Sequence, residues 1–130
     1  MSSEKSKYYC KKYIEVLRED WNHVLLNSDD SWLFHDLDLN HIYALRDNAT
    51  NQSFLIYDAS TNKPIAIVPI FIYQYKWKQF YRLNKIYAKS YYHSGPAIIR
   101  QLNEKNRREI IQYLSKEIEF ICENNKVDVC

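Results

Sequence analysis

A single glycine, Gly95, with three prolines and three cysteines in 130 residues sets the first limits on this chain. Loops that cradle pyrophosphate use several glycines so that backbone N–H groups can approach the oxygens, and one glycine cannot build such a loop. Cys10, Cys122 and Cys130 form no CxxC pair and leave one over in any pairing. This argues against a disulfide framework and makes reduced thiols the expected state. Long apolar runs are missing too: the longest, Pro64 to Tyr73, is about half of the roughly 20 residues that a membrane-spanning helix needs. The opening MSSEKSK has no apolar signal-peptide region, so the cytoplasm is the expected location. A formal charge of +2 does not by itself imply a nucleic-acid partner, although local clustering remains open.

What is present is a globular composition, 46% apolar and 26% charged, of a length that fits one domain. No internal repeat, low-complexity linker or composition break divides it. Twelve tyrosines beside so few glycines and prolines describe a chain rich in strand formers, whose turns must use Asn, Asp and Ser.

The local pattern predicts an α/β fold of the α+β kind. KKYIEVL, Lys11 to Leu17, is read as a strand, although a helix start suits it equally. From Arg18, Trp21, Val24, Leu25 and Leu26 recur at helical spacing up to the polar stop NSDDS. Asp30 or Ser31 is the expected cap of a second helix to about Arg46, with Phe34, Leu37, Leu39, Ile42 and Leu45 as a broad apolar stripe. SFLIYD, ASTNKP and IAIVPIFIYQYKWKQF then read as strand, turn and long strand, with Pro69 at a bulge or edge because it lacks a ladder donor. Tyr81 to Lys89 is a third strand and Ala97 to Ile99 a short fourth, giving an antiparallel three- to four-stranded meander. Asn103 caps a long amphipathic helix from Glu104 to about Asn124, with Ile110, Ile111, Leu114, Ile118 and Ile121 on its apolar face. VDVC reads as the start of a further strand.

Three segments together, in order from Trp21 to Cys130, resemble the N-terminal half of a FemAB-like or BioF2-like acyltransferase domain of the GNAT superfamily. DWNHVLLNSDDSWLFHDLDLNHIYAL is similar to the opening Trp, short helix, Ser-rich break, aromatic run and second helix. FLIYDASTNKPIAIVPIFI is similar to the signature hairpin, and HSGPAIIRQLNEKNRREIIQYLSKEIEFICENNKVDVC to a Gly-Pro strand start, long helix and next core strand. The resemblance implies a GNAT-like fold and transfer of an acyl or aminoacyl group to an amine of a small-molecule or peptide acceptor. Acyl-CoA or aminoacyl-tRNA is the implied donor, and a tRNA-borne donor the one expected nucleic-acid partner. The family pattern continues beyond Cys130, so the expectation is an incomplete domain without its donor-binding half, inactive alone. Such a sheet would be completed by self-association or a partner chain.

Direct attack of an amine on an acyl donor needs a base, an oxyanion dipole and a donor channel. His93, in YYHSGP before a strand, is the candidate base, since an imidazole of pKa near 6.5 is suited to that task. A surface or packing histidine is the competing reading. Tyr91, Tyr92, Ser94 and Gly95 are candidate substrate-binding residues, although a glycine there more often marks a positive-φ turn or close backbone approach. No residue is assigned to a cofactor or metal. His35, Asp36, Asp38 and His41 do not converge at helical spacing and are read as a solvated helix face. Trp21 and Trp32 read as core anchors and Cys122 as a small hydrophobe.

The alternative function is a non-enzymatic α/β binding module, with the Tyr- and Lys-rich stretch Ile72 to Tyr87 serving nucleic acid or protein. On one strand Tyr73, Tyr75 and Trp77 share a face while Gln74, Lys76 and Lys78 share the other. A stacking platform needs aromatic and cation aimed at one ligand. A hairpin with its tyrosine face buried under a helix is therefore expected instead.

Overall fold

The structure, a computed structural model, describes residues 7–29, 35–46, 49–76, 84–89 and 95–125. Among them are seven strands and three α-helices: β1 (Tyr8–Lys12), α1 (Arg18–Asn27), α2 (Leu37–Arg46), β2 (Thr50–Asn51), β3 (Phe54–Asp58), β4 (Lys63–Val68), β5 (Phe71–Lys76), β6 (Asn84–Lys89), β7 (Ala97–Ile98) and α3 (Glu104–Asn124). No described helix is long and apolar enough to cross a membrane. All pairings are antiparallel, in two sheets ordered β1-β3-β4-β7 and β2-β5-β6. The expected single meander is therefore divided.

The division occurs at Pro69 and Ile70. The long strand expected from Ile65 ends at Val68 and restarts at Phe71, in the second sheet. Its partner breaks at the same level, between Asn51 and Phe54. The register nevertheless persists: Phe54 stands opposite Val68, and Asn51 opposite Phe71, so each step along one side matches a step along the other. Gln52 N–H donates to Ile70 C=O at 2.9 Å, while Ile70 N–H donates to the Ser53 hydroxyl at 3.1 Å. One continuous ribbon is bent at its proline, and the Ser53 hydroxyl receives the amide that the ladder loses there.

The first sheet is covered on both faces, which is why FLIY and IAIV are continuously apolar rather than alternating. Phe54, Ile56, Ala66, Val68 and Ile98 face α3 through Ile110, Leu114 and Cys122. Leu55, Tyr57, Ile67 and Ala97 form the opposite layer with Trp21 and Val24 of α1. The ladder skips Ile65, since Tyr57 pairs with Pro64 and Ile56 with Ala66. This bulge puts Ile65 and Ala66 into the same layer under α3. Trp21 and Cys122 occupy core positions as expected.

Asn103 caps α3 as its sequence predicts, its Oδ1 accepting Asn106 N–H at 2.8 Å. Ile111 is half exposed and lies off the buried stripe. At the other end, Asn125 N–H and Nδ2 both donate to Ile121 C=O, so an asparagine closes the helix without a glycine. The β3–β4 turn is likewise glycine-free. Asn62 adopts φ 56°, and Asp58 Oδ1 accepts from Ser60 N–H and Oγ at 2.8 and 2.6 Å. These bonds hold the Asp58 carboxyl below its ordinary pKa.

The chain departs from expectation at its start. The first strand is Tyr8–Lys12, followed by a 3₁₀ turn at Tyr13–Glu15, so Lys11–Leu17 is not a strand. β1 pairs with β3 only as far as Phe54, and Tyr13 N–H then reaches Ser53 C=O, where the partner bends away. The second helix starts at Leu37 rather than after Asp30 or Ser31. Asp36 is its cap, with Oδ1 accepting Asp38 and Leu39 N–H at 3.0 and 3.1 Å. Its expected apolar stripe is split, since Leu37 packs against the core while Ile42 is 54% and Leu45 70% exposed. The third strand is described from Asn84, while Trp32, Phe34, Trp77 to Leu83 and the expected strand at Val127 lie outside the described residues.

Replacing Ser53 by Ala removes the acceptor for a buried amide at the bend. Urea denaturation of Ser53→Ala should show a loss of about 1–3 kcal/mol, whereas an unchanged midpoint and slope would remove the hydroxyl from the bend's stabilisation.

Candidate functional site

Of the residues the sequence nominates, His93, Tyr91, Tyr92 and Ser94 lie outside the described residues, and Gly95 stands at the head of β7. Gly95 is exposed, has no positive φ, and a Cβ built there meets nothing within 4 Å. The expected left-handed turn or close backbone approach is therefore not what holds it. Its carbonyl is the constrained group: His35 Nε2 lies 2.7 Å from it. A carbonyl only accepts, so the histidine donates and Nε2 carries hydrogen.

The need for this donor follows from the neighbouring strand. Ala97 pairs with Ile67, and Ile99 N–H donates to Ile65 C=O at 3.0 Å. Carried two residues beyond Ala97, this register sets Gly95 opposite Pro69, which has no N–H. The ladder stops, and the imidazole supplies the missing donor. Trp21 Nε1–H in turn donates to His35 C=O at 2.6 Å, tying this segment to the core.

His35 is 1% exposed, so the solvated-face expectation fails for it. It precedes the Asp36 cap, at the position from which a residue commonly folds inward against the fourth helical residue. That fourth residue is Asn40, which is also buried. Recognising the Asx cap in HDLDLN would have revealed both. Asn40 Nδ2 donates to Ser53 Oγ at 3.3 Å, Asn51 Nδ2 donates to Asn40 Oδ1 at 2.5 Å, and Ser53 N–H donates to Asn51 Oδ1 at 3.0 Å. A buried polar seam thus runs through α2, β2 and the ribbon bend. Arg18 holds Asp38 in a bidentate pair at 2.9 and 3.1 Å, and no group of three or more metal-capable side chains occurs among the described residues.

A cleft of about 470 Å³ opens at the other end of the β3–β4 hairpin, lined by Lys7, Tyr8, Asp58, Ser60, Leu102 and Asn106. Glu109 Oε2 accepts from Lys7 Nζ and Tyr8 OH, both at 3.1 Å. Burial, then the bond to Glu109, pushes the Tyr8 phenol up to about 12. Lys7 and Tyr8 hold the Glu109 carboxyl below its usual range. Beyond it, burial and Glu117 push the Cys10 thiol up to about 11, so Cys10 is protonated at neutral pH and a poor nucleophile. Cys10 and Cys122 are both free thiols. On the opposite face Tyr57 stacks on Tyr9, with ring centroids 5.0 Å apart, and donates to Asp20 at 2.8 Å.

No family model matches the chain, and neither the curated proteins nor the solved structures gave a match.

Two predictions separate these features. Gly95→Ala should leave stability within about 0.5 kcal/mol of the parent, because neither φ nor space requires glycine. His35→Phe should cost about 1–3 kcal/mol by orphaning a carbonyl, and His35→Gln, which keeps a donor, should cost less. The reverse order in denaturant melts would refute the anchoring role. The second concerns pH. Tyr8, Tyr57 and Tyr113 all ionise above the ordinary 10.0, chiefly through burial. A raised phenol pKa favours the folded state below the unfolded value and loses that contribution as pH rises through the folded one. Melting temperature should therefore fall as pH rises from 10 to about 12, with delayed phenolate absorbance at 295 nm. A melting temperature constant over that window would contradict the assignment.

Proposed function

We propose that this chain supplies the acceptor-side part of an N-acyltransferase of the FemAB-like or BioF2-like kind, within the GNAT superfamily. The observation that carries the reading is the order of its first sheet. After β1, two helices, the antiparallel hairpin β3–β4, the short strand β7 headed by Gly95-Pro96 and the long helix α3 follow in this order, with β2, β5 and β6 set in the second sheet. From α1 onward, the two helices, hairpin, Gly-Pro strand and long helix follow the order that the sequence resemblance implies.

In this reading an uncharged amine attacks the acyl carbon of acyl-CoA or aminoacyl-tRNA directly. The C–N bond forms, the thiol or tRNA hydroxyl leaves, and the amine loses a proton. His93 takes that proton, with Tyr91, Tyr92 and Ser94 positioning the acceptor. Gly95 contributes as an anchor: its carbonyl is engaged by buried His35, which fixes the chain where HSGP joins β7. A strand head anchored in this way suits a reaction governed by positioning.

Transfer of labelled acetyl or aminoacyl groups to amines, assayed on the protein as expressed from its gene, tests the proposal. His93→Ala should lower turnover about 10²- to 10⁴-fold with KM little changed, and His35→Phe should lower turnover more weakly. Transfer that is indifferent to His93 would remove it from the site. No transfer from either donor by folded protein that includes the donor-binding half would overturn the reading.

A further inference from the structure

We propose that β1 pairs antiparallel with β1 of a second copy of this chain, joining the two first sheets across a two-fold axis at Cys10. The ladder with β3 fixes which way the backbone of β1 points. Ala59 N–H donates to Lys7 C=O and Tyr13 N–H to Ser53 C=O, both in the register that sets Tyr8 opposite Asp58. Odd-numbered residues therefore turn their N–H and C=O toward β3, and Tyr8, Cys10 and Lys12 turn theirs to the outer edge. Among the described residues β1 ends its sheet, and Lys11 and Lys12 are exposed on it. Outward amides and carbonyls along an exposed edge are a template for another strand.

The sequence of β1 selects its own copy. Lys7 to Tyr13 reads KYYCKKY. Laid antiparallel on itself about Cys10, it sets Tyr8 against the partner's Lys12, Tyr9 against the partner's Lys11 and Lys7 against the partner's Tyr13. Every position off the centre joins lysine to tyrosine. A shift of two residues sets Lys7 against the partner's Lys11 in one direction and Lys11 against the partner's Lys11 in the other, and like charges directly opposite oppose pairing. A shift of one sets outward-pointing residues against residues that point to β3, so no ladder forms. Lysines on an edge repel other strands. Here they exclude strands that lack tyrosine at the matching positions, which is specificity by exclusion. A lysine–tyrosine contact of this kind exists within one copy, where Lys11 Nζ lies 5.4 Å from the centroid of the Tyr57 ring. Charge fits as well. Tyr8 OH and Cys10 Sγ donate to Glu109 and Glu117 of α3, so the α3 side of this edge is acidic. The partner's Lys12 joins that side, opposite Tyr8. The same flank of α3 carries Phe120, three residues beyond Glu117 and 60% exposed. The pairing is independent of acyl transfer, since it uses neither His93 nor Gly95.

Sedimentation velocity of the protein as expressed from its gene, under reducing conditions and from about 1 to 100 µM, tests it. A concentration-dependent dimer is expected. Lys12 has φ −62°, so Lys12→Pro fits the monomer while removing the N–H that meets the partner's Tyr8 C=O on each side of the axis. That variant should weaken the dimer roughly five- to 150-fold with its circular dichroism unchanged. Lys12→Glu, an exposed change, serves if the proline variant fails to fold. It sets a carboxylate beside the partner's Glu109 and should weaken the dimer more at low salt than at high. Amide exchange at Cys10 should slow as concentration rises, while that of Lys11, which points to β3, should not. A monomer at the highest concentration would overturn the proposal. So would a dimer of unchanged strength in Lys12→Glu, or exchange at Cys10 that is independent of concentration.

Discussion

The absent N–H of Pro69 is the constraint around which the molecule is arranged. A proline inside a sheet interrupts the ladder on the side where its amide would point, and here that side faces β7. Strand β7 accordingly stops at Ala97, and the carbonyl of Gly95 needs another donor. The donor is His35, which must be buried to reach it, and burial is possible because α2 starts only after the Asp36 cap. Trp21 then binds the carbonyl of His35 and couples the segment to α1. On the other side of the same proline, the Ser53 hydroxyl receives the amide of Ile70, and Asn40 and Asn51 surround it. One lost donor thus organises two buried polar groups, the start of a helix and the end of a strand.

The sequence makes some of this legible because local chemistry decides it. Asn103 and the spacing of Ile110 and Leu114 specify α3 without help from the rest of the chain. Trp21 and Val24 do the same for the buried face of α1. Where tertiary pairing decides, reading the chain as isolated segments fails. Lys11–Leu17 alternates well enough for a strand, yet its pairing ends when β3 bends at Ser53. His35 is hidden from its sequence for a related reason. It lies outside the helix, where helical spacing does not apply, and the Asx cap at Asp36 leaves it at the position that folds inward.

Scarcity of glycine shapes the same solution. Positions that commonly use glycine are filled by side chains able to satisfy the backbone: Asn62 at positive φ, Asp58 over the turn, and Asn125 at the end of α3. The one glycine present occupies a site where neither φ nor space requires it. Its importance lies in its carbonyl, a group that every residue type possesses. A motif search would therefore weigh Gly95 for the wrong atom, and the determinant of this site is the histidine sixty residues earlier.

The bend also separates two chemistries. Toward β1, β3, β4 and β7 the strands are buried on both faces beneath α1 and α3. Beyond Pro69 the ribbon continues into strands that carry tyrosine and lysine and no acidic residue. The core reaches across this break, since Phe71 is fully buried and Ile70 and Ile72 belong to the same apolar cluster as Val68. The cost is a set of interrupted hydrogen bonds, offset by Ser53 and His35, and among the described residues it is incurred where the ladder of β3 with β4 runs on into that of β2 with β5.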